Sequence, residues 1–318
     1  MQIRFWGTRG SLPAPLTTAG VRAKLAAALT AAQGRPLGTP AAIDAFLAEL
    51  PFSVSGTFGG DSSCVELIDG ENNHVLCDFG SGARRYGVEM MRRHGAATPQ
   101  TYHVFMSHLH WDHIMGFPMF PPAYTPGNRI IIHGCHATLE AGFRRQHGAP
   151  SFPVEFAQLP AGIEFVVLEP GKTTTIAGYA VTPKLQRHSG DSYGYRFEKN
   201  GKCVVYSTDS EHRTEQSGES EAFAQFFSNA DLVIFDSMYS LAEAASVKED
   251  WGHSSNIIGV ELCQMARARR LCLFHHEPAY TDGQIEDVLR QTRRFEEITR
   301  DGAMLEVFSA YDGLVVTL

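Results

Sequence analysis

Short apolar runs, rich in β-branched and aromatic residues, recur along this 318-residue chain and constrain its fold more than any other feature. Runs of this length predict β-strands. They are QIRFW, SCVELI, HVLCD, YHVFM, RIIIH, IEFVVLE, GKCVVYS, DLVIFD, RLCLFH and MLEVFSA. Helical patterns lie between them, at 81–95, 137–146, 219–229, 254–268 and 282–300. Strand runs that later alternate with helices predict an α/β protein whose sheets are covered by helices.

The overall composition is that of a globular domain. The chain is 43% hydrophobic and 19% charged, with no low-complexity tract. Single α/β domains of this length are common, so we expect one domain spanning residues 1–318. The six cysteines form no CxxC pair, and several lie inside apolar runs, which predicts buried thiols rather than disulfides.

The charge balance limits the possible partners. A net charge of -8 argues against a long nucleic acid, because such binding needs clustered Lys and Arg, but it permits one small phosphorylated molecule. The first residues, MQIRFWGTRG, lack the pattern of a secretory signal, and no apolar stretch approaches the roughly 20 residues of a membrane span. We therefore expect a cytoplasmic protein without membrane contact.

Residues 13–57 differ from the rest of the chain. They are Ala-rich and are interrupted by several prolines. Thr17 or Thr18 can cap a helix that ends near Gly34, and Thr39 followed by Pro40 can begin a second helix that ends before Pro51. We expect a helical hairpin inserted in the domain. Packing, a dimer contact and a lid over a site are all open roles for it.

The segment YHVFMSHLHWDHIMGFP carries the strongest functional signal. It places His108, His110, Asp112 and His113 directly after an apolar β-like run. At strand spacing His108 and His110 point to one side, and a turn can aim Asp112 and His113 at a second position nearby. Imidazole and carboxylate groups at a strand end suit a borderline metal such as zinc. Two metal positions are therefore plausible.

This cluster resembles the HxHxDH signature of the metallo-β-lactamase superfamily. The resemblance implies an αββα sandwich of two mixed sheets flanked by helices, with a dinuclear metal site. One ion would take His108, His110, His188 and Asp209, and the other Asp112, His113, Asp209 and His275. Two divalent ions are expected, with zinc favoured and manganese or iron as alternatives. A homodimer is the habit of the family.

Two positions near these ligands need separate treatment. His276 adjoins His275, and strand alternation points only one of the two inward. The family's strand-end pattern favours His275, which leaves His276 as a supporting or surface group. Asp78, in VLCDFGSG, matches a family aspartate that braces the metal loop rather than binding metal.

Further residues resemble one branch of the superfamily, that of tRNase Z and the small phosphodiesterases. In that branch a histidine in a GHS-like setting protonates the leaving oxygen and a carboxylate orients it. His253 in WGHSSN and Asp236 in DLVIFDSMY match these positions. IRFWGTRGSLP, GGDSSCVEL and SHLHWDHIMGFPMFPPAY also resemble cyclic-nucleotide phosphodiesterase-like proteins, relatives of the anti-Pycsar phosphodiesterases.

These resemblances imply a phosphodiesterase acting on a small phosphodiester, with a 3′,5′-cyclic nucleotide as the expected substrate. A metal-bound hydroxide, held by Asp112, would attack phosphorus, and His253, oriented by Asp236, would protonate the departing oxygen. Aromatic residues near the mouth of the site are candidates for stacking on the base. They are Phe117, Phe120, Tyr124, Phe152 and Tyr280.

Three other functions share the ligands. A tRNA 3′-end endonuclease would need a basic surface and an extended arm, and neither is evident in this acidic sequence. A thioester or lactone hydrolase would not need an acid such as His253. A regulatory module that binds metal without turnover is the alternative outside the enzymes.

Overall fold

Fourteen strands form two seven-stranded sheets in the part of the chain that the computed structural model describes, residues 1–70, 73–212, 217–239 and 252–318. The strands of the first half are β1 (Gln2–Gly7), β2 (Cys64–Ile68), β3 (Asn73–Cys77), β4 (Thr101–Phe105), β5 (Arg129–Gly134), β6 (Gly162–Val167) and β7 (Thr174–Ile176). Those of the second half are β8 (Tyr179–Gln186), β9 (Ser192–Lys199), β10 (Lys202–Ser207), β11 (Leu232–Asp236), β12 (Arg270–Phe274), β13 (Glu306–Ser309) and β14 (Val315–Thr317).

Both sheets are mixed. The first has the order β14-β1-β2-β3-β4-β5-β6, antiparallel up to β3 and parallel from β3 to β6. The second has the order β13-β12-β11-β10-β9-β8-β7, parallel from β13 to β10 and antiparallel beyond. Among the parallel strands, β11 is buried at all five positions and β12 at four of five, as their near-continuous apolar runs predict.

Helices cover the outer faces of the two sheets. Their bounds are α1 (Thr18–Ala31), α2 (Pro40–Glu49), α3 (Phe52–Ser55), α4 (Gly82–His94), α5 (Trp111–Ile114), α6 (Leu139–Gln146), α7 (Ser217–Phe226), α8 (Asn256–Met265) and α9 (Asp282–Thr299). Short 3-10 turns lie at Phe117–Met119, Pro121–Tyr124 and Phe156–Gln158.

The apolar core has three parts, and their positions define the layers. The central part lies between the sheets, where Phe105 of the first contacts Phe197 of the second with ring centroids 5.0 Å apart. A second part joins the outer face of the first sheet to α4 and α6, and a third joins the second sheet to α7 and α8. The layers are therefore helix, sheet, sheet and helix, and the predicted αββα sandwich is confirmed.

The five predicted helices are present, with ends that shift by up to a few residues. The strand predictions are less complete, because β14 and the three consecutive strands β7, β8 and β9 match none of the predicted runs. Strand β8 carries Pro183 and alternates buried with partly exposed residues, so its apolar signal is diluted. Strands β7, β8 and β9 still form a regular antiparallel ladder, with Pro183 of β8 opposite Tyr195 of β9.

The predicted helical hairpin is present within residues 13–57. Thr17 and Thr39 cap its two helices by accepting hydrogen bonds from Gly20 N and Ala42 N. Lys24 of α1 pairs with Asp282 at the start of α9, with Nζ 2.6 Å from Oδ2. The hairpin thus packs against the beginning of α9.

No helix in the described ranges combines the length and the apolarity that crossing a bilayer requires.

Candidate metal centre

The predicted site residues meet at one edge of the sandwich because they follow strands that run in the same direction. His108 follows β4, His188 follows β8, Asp209 follows β10 and His275 follows β12. Asp209 and His275 adopt positive φ angles of 48° and 60°. Asp and His enter this left-handed region more readily than most residues. Both residues therefore leave the extended strand conformation, and their side chains come together in one group of candidate ligand atoms.

One group of ligand atoms comprises His108, His110 and His188, whose candidate atoms all lie within 4.8 Å of one another. His188 Nε2 lies 3.1 Å from His110 Nδ1. His110 precedes the short helix α5, whose first turn then carries Asp112 and His113 to a second position. The HLHWDH segment therefore supplies ligands to two neighbouring places.

The second group comprises Asp112, His113, Asp209 and His275, all buried. His113 Nε2 lies 3.1 Å from Asp112 Oδ2 and 3.2 Å from Asp209 Oδ1. His275 Nε2 lies 3.3 Å from each of the same two oxygens. Two imidazoles and two carboxylates thus converge on one small volume.

Asp209 faces both groups with different oxygens. Its Oδ1 faces His113 and His275, whereas its Oδ2 lies 3.7 Å from the Nε2 atoms of both His108 and His188. A carboxylate in this position can bridge two cations. The geometry thus matches the shared role that the resemblance implies for Asp209.

Asp78 supports the second group through hydrogen bonds to His113 and its neighbours. It is fully buried and accepts hydrogen bonds from Ser107 N, Ser107 Oγ and Tyr206 OH, each at 2.7 Å. His113 Nδ1 donates to it at 2.8 Å, which leaves the Nε2 lone pair of His113 facing the site. Asp78 has the bracing contacts predicted for it.

The two adjacent histidines after β12 point in different directions. His275 enters the second group, whereas His276 Nε2 donates to Ala310 O at 2.9 Å. His276 is buried, so of the two predicted roles, a supporting or a surface group, only the supporting one fits, and burial lowers its pKa to about 3. A neutral His276 therefore supports the loop that carries His275.

His253 and Asp236 form a pair beside the two groups. His253 Nδ1 donates to Asp236 Oδ2 at 2.8 Å and lies 4.0 Å from Asp209 Oδ2. Its ring is stacked near that of His275, with centroids 5.2 Å apart. Burial lowers the pKa of His253, but the charge and hydrogen bond of Asp236 outweigh it and raise the pKa to about 9. The ring nitrogen of His253 that does not contact Asp236 is Nε2.

Two glycines allow these close approaches. Gly252 has a φ of +83°, and its carbonyl accepts from His188 Nδ1 at 2.7 Å. A Cβ added to Gly252 would lie 2.5 Å from that same nitrogen. A Cβ added to Gly10 would lie 2.6 Å from the His275 ring. The glycines of the GHS and WGTRG segments thus border metal-ligand candidates.

The donor set fits divalent cations. His108 Nε2 is buried and lacks a hydrogen-bond partner among the described residues, although it lies beside Asp209. Burial and the nearby His113 lower the pKa of His108, which keeps its lone pair available. Neutral imidazoles with carboxylates are ligands that zinc, manganese and iron accept. His108, His110, His188 and Asp209 could hold one ion, and Asp112, His113, Asp209 and His275 another.

The aromatic residues predicted to stack on a ligand differ in burial: some belong to the core, and others line a cleft or cavity. Phe117 and Phe120 are fully buried in the core under the first sheet, so the expectation that they stack on a ligand is wrong. Phe152 lines a cleft next to His110, while Tyr280 lines a separate cavity beside α1. Sequence reasoning did not single out Trp111, whose side chain is 65% exposed.

The fold and this site define a metal-dependent hydrolase. The family model described as beta-lactamase superfamily domain matches residues 73–276, which include every candidate ligand. The chain therefore belongs to the metallo-β-lactamase-fold hydrolase superfamily.

Similar proteins include a named ribonuclease and solved structures with the same fold. The chain is 22% identical over 277 residues to a ribonuclease Z from Bradyrhizobium diazoefficiens, covering 72% of this chain and 87% of that protein. Its fold is similar to that of YhfI from Bacillus subtilis (TM-score 0.64, 17% identity, 99% of this chain and 98% of that one). It is also similar to that of yeast PDE1 (TM-score 0.61, 16% identity, 81% and 95%).

Proposed function

We propose that the protein is a phosphodiesterase that hydrolyses a small phosphodiester, with a 3′,5′-cyclic nucleotide as its substrate. The observation that carries the proposal is the His253–Asp236 pair beside Asp209. An acyl group transferred from a thioester leaves a stable thiolate, whereas a ribose alkoxide needs a proton as it departs. A buried, carboxylate-oriented histidine next to the ligand groups supplies that proton.

Divalent ions held by the two ligand groups would polarise the phosphate and lower the pKa of a bound water. Asp112 is assigned to hold the attacking water and accept its proton, because its Oδ2 faces both His113 and His275. The water oxygen forms the new bond to phosphorus, and the bond between phosphorus and the ribose oxygen breaks. His253 delivers the proton from Nε2 to that oxygen.

Asp236 positions His253 for this step. Its Oδ2 accepts from His253 Nδ1, and its Oδ1 accepts from Met238 N at 3.1 Å, so the carboxylate is fixed at both oxygens. The Nδ1 hydrogen bond selects the ring orientation that presents Nε2 to the substrate. Asp236 is fully buried, which strengthens its interaction with a protonated imidazole.

Two further observations support a small substrate. The net charge of -8 disfavours the multiple phosphate contacts that long nucleic acids require. The cleft beside His110 has a volume of about 680 Å³, within the usual range for small-ligand sites.

RNA processing is the second candidate, and the similarity to a ribonuclease Z favours it. It uses the same bond cleavage and the same leaving alkoxide. A precursor tRNA in the substrate panel separates the two, because only the RNA-processing function predicts its cleavage.

The proposal is tested by replacing His253 and varying the leaving group. His253→Ala should lower kcat by about 10²- to 10⁴-fold on a cyclic nucleotide, whose leaving group needs a proton. It should leave the cleavage of a p-nitrophenyl phosphodiester nearly unchanged, because nitrophenolate departs without one. Metal content serves as the control, since a value of two ions per chain in wild type and variant shows that His253 is not a ligand. Equal losses on both substrates would contradict the acid role.

A further inference from the structure

The cleft of about 680 Å³ that opens beside the metal centre has no role in the chemistry described above. Its lining includes the segment Leu109–Trp111 and residues of helix α6. His110 belongs to both places, since its Nδ1 faces His188 and its Nε2 lies on the side of Gly190, which also lines the cleft. The breadth of one imidazole ring therefore separates the cleft from the candidate metal ligands.

The walls of the cleft are held to the metal loop. Gln146 of α6 donates from Nε2 to Ile114 O at 2.8 Å, which ties the helix to the turn that carries Asp112 and His113. A Cβ added to Gly142 would lie 3.2 Å from a Leu109 methyl group, so the glycine lets α6 approach the HLHWDH segment. These contacts fix α6, which lines the cleft, next to the segment that carries the candidate metal ligands.

Trp111 lies between two candidate ligands and yet leaves 65% of its side chain exposed. A large aromatic group is usually buried, because its apolar surface gains from leaving water. Trp111 lines the cleft next to His110, so its exposed indole surface is available to a ligand there. A flat ring that stacks on it would bury both faces.

Arg145 of α6 adds a guanidinium group to the lining of the cleft. Its neighbour Arg144 pairs with Glu140 and lies over the Phe156 ring, so Arg144 has a structural role. Arg145 lines the cleft, and no described carboxylate lies within ion-pair range of it. A guanidinium group donates five N–H groups and accepts none, so it suits a ring edge that carries acceptors.

We propose that this cleft binds the base of the nucleotide substrate, with Trp111 stacked on the ring and Arg145 donating to its acceptor edge. The proposal rests on the phosphodiesterase function above and specifies the substrate as one that carries an aromatic ring with carbonyl or ring-nitrogen acceptors. Guanine, with O6 and N7 side by side, fits a guanidinium best. Trp111 and Arg145 are positioning and specificity residues.

The first test compares two substrates with the same phosphodiester. One is 3′,5′-cyclic GMP, and the other is 1-O-methylribose 3′,5′-cyclic phosphate, which lacks the base. Trp111→Leu should raise KM for cyclic GMP by about 5- to 100-fold, the range expected for one stacked base, without changing kcat. It should leave KM for the base-free compound within about twofold. Trp111→Phe should recover most of the loss.

Arginine variants give a matched control, because the two residues are adjacent. Arg145→Gln should raise KM for cyclic GMP, whereas Arg144→Gln should leave it unchanged. If Arg144→Gln and Arg145→Gln raise KM equally, the effect comes from general charge, and the assignment of Arg145 is wrong. If Trp111→Leu raises KM equally for cyclic GMP and for the base-free compound, Trp111 acts through the neighbouring metal ligands and the base-site proposal is overturned.

Calorimetry separates this proposal from the proposed function. GMP and inorganic phosphate are titrated into metal-loaded wild type and Trp111→Leu. The proposal predicts that GMP binds wild type more tightly than phosphate does. It also predicts that the variant's affinity for GMP falls by about 5- to 100-fold, while its affinity for phosphate is unchanged. GMP binding no tighter than phosphate overturns it. If no cyclic nucleotide is hydrolysed but the GMP difference is found, the phosphodiesterase function fails while the base site stands.

Discussion

Replacing Gly252 with Ala should weaken one of the two candidate metal positions. The added Cβ would lie 2.5 Å from His188 Nδ1, closer than real Cβ contacts allow. Alanine also disfavours the φ of +83°, at a cost of about 1 to 2 kcal/mol. The loop must therefore shift, and the hydrogen bond from His188 Nδ1 to Gly252 O is then lost.

The expected size of this effect follows from the role of that hydrogen bond. It orients the imidazole so that Nε2 faces His110, and loss of such a supporting partner costs about 10- to 100-fold in metal affinity. This corresponds to about 1.4 to 2.7 kcal/mol. Only one of the two ions should be affected, since His188 is not among the candidate ligands of the second ion, which are Asp112, His113, Asp209 and His275.

The assay is a competition titration with a chromophoric chelator, which gives both metal affinities. Gly38→Ala is the matched control, because no atom lies within 4 Å of a Cβ added there. The variant should show one affinity lowered and the other retained, with the loss of activity following the weaker site. Two affinities unchanged within about twofold would refute the role of Gly252 in holding His188.

Three further predictions concern neighbouring residues. Gly10→Ala should lower the affinity of the other ion by about 10-fold or more, because its Cβ would meet the His275 ring, and the same titration measures this. Asp78→Asn should reduce metal content after dialysis by weakening the orientation of His113, which elemental analysis detects; unchanged content would contradict it. Burial lowers the pKa of His212 to about 3, so the folded state keeps this ring neutral. Stability is therefore full above pH 6.5 and falls as the pH drops towards 3, by about 2 kcal/mol at pH 5 from this residue alone. Urea unfolding at pH 7 and pH 5 should show a smaller difference for His212→Phe than for wild type, and an equal difference would exclude this residue as the cause.

The fold was largely predictable where the strands are continuous apolar runs. Strand β11, with the run LVIF, is buried at every position, so its sequence is unambiguous. Strand β8 is not, because it lies in an antiparallel ladder, alternates in burial and contains Pro183. Local periodicity cannot show that neighbouring strands accept such a sequence.

The candidate site likewise contains residues that the sequence predicted and residues that it did not. The ligand candidates in HLHWDH were predictable because they cluster directly after a strand run, whereas His188, Asp209 and His275 were assigned only through the family resemblance. The aromatic residues were not, since Phe117 is core and Trp111 is exposed, and residue type alone does not distinguish these cases. The spacing of Gly252 from His188 also required coordinates, because 64 residues separate them in the chain.

The insertion at 13–57 was predictable as two helices but not in its placement. Its start and cap signals are local, whereas the pairing of Lys24 with Asp282 joins distant parts of the chain. None of the described residues that line the cleft beside His110 comes from this segment. Its described contact is packing against the start of α9, through Lys24 and Asp282.

Turnover of a substrate panel by the metal-loaded protein tests the central claim most directly. The panel holds 3′,5′-cyclic mononucleotides, cyclic dinucleotides, a precursor tRNA, a thioester and a lactone, with Asp112→Ala as the inactive control. The account predicts hydrolysis of a cyclic mononucleotide that is lost in the variant. Turnover of the thioester or lactone alone, or cleavage of the precursor tRNA alone, would contradict it.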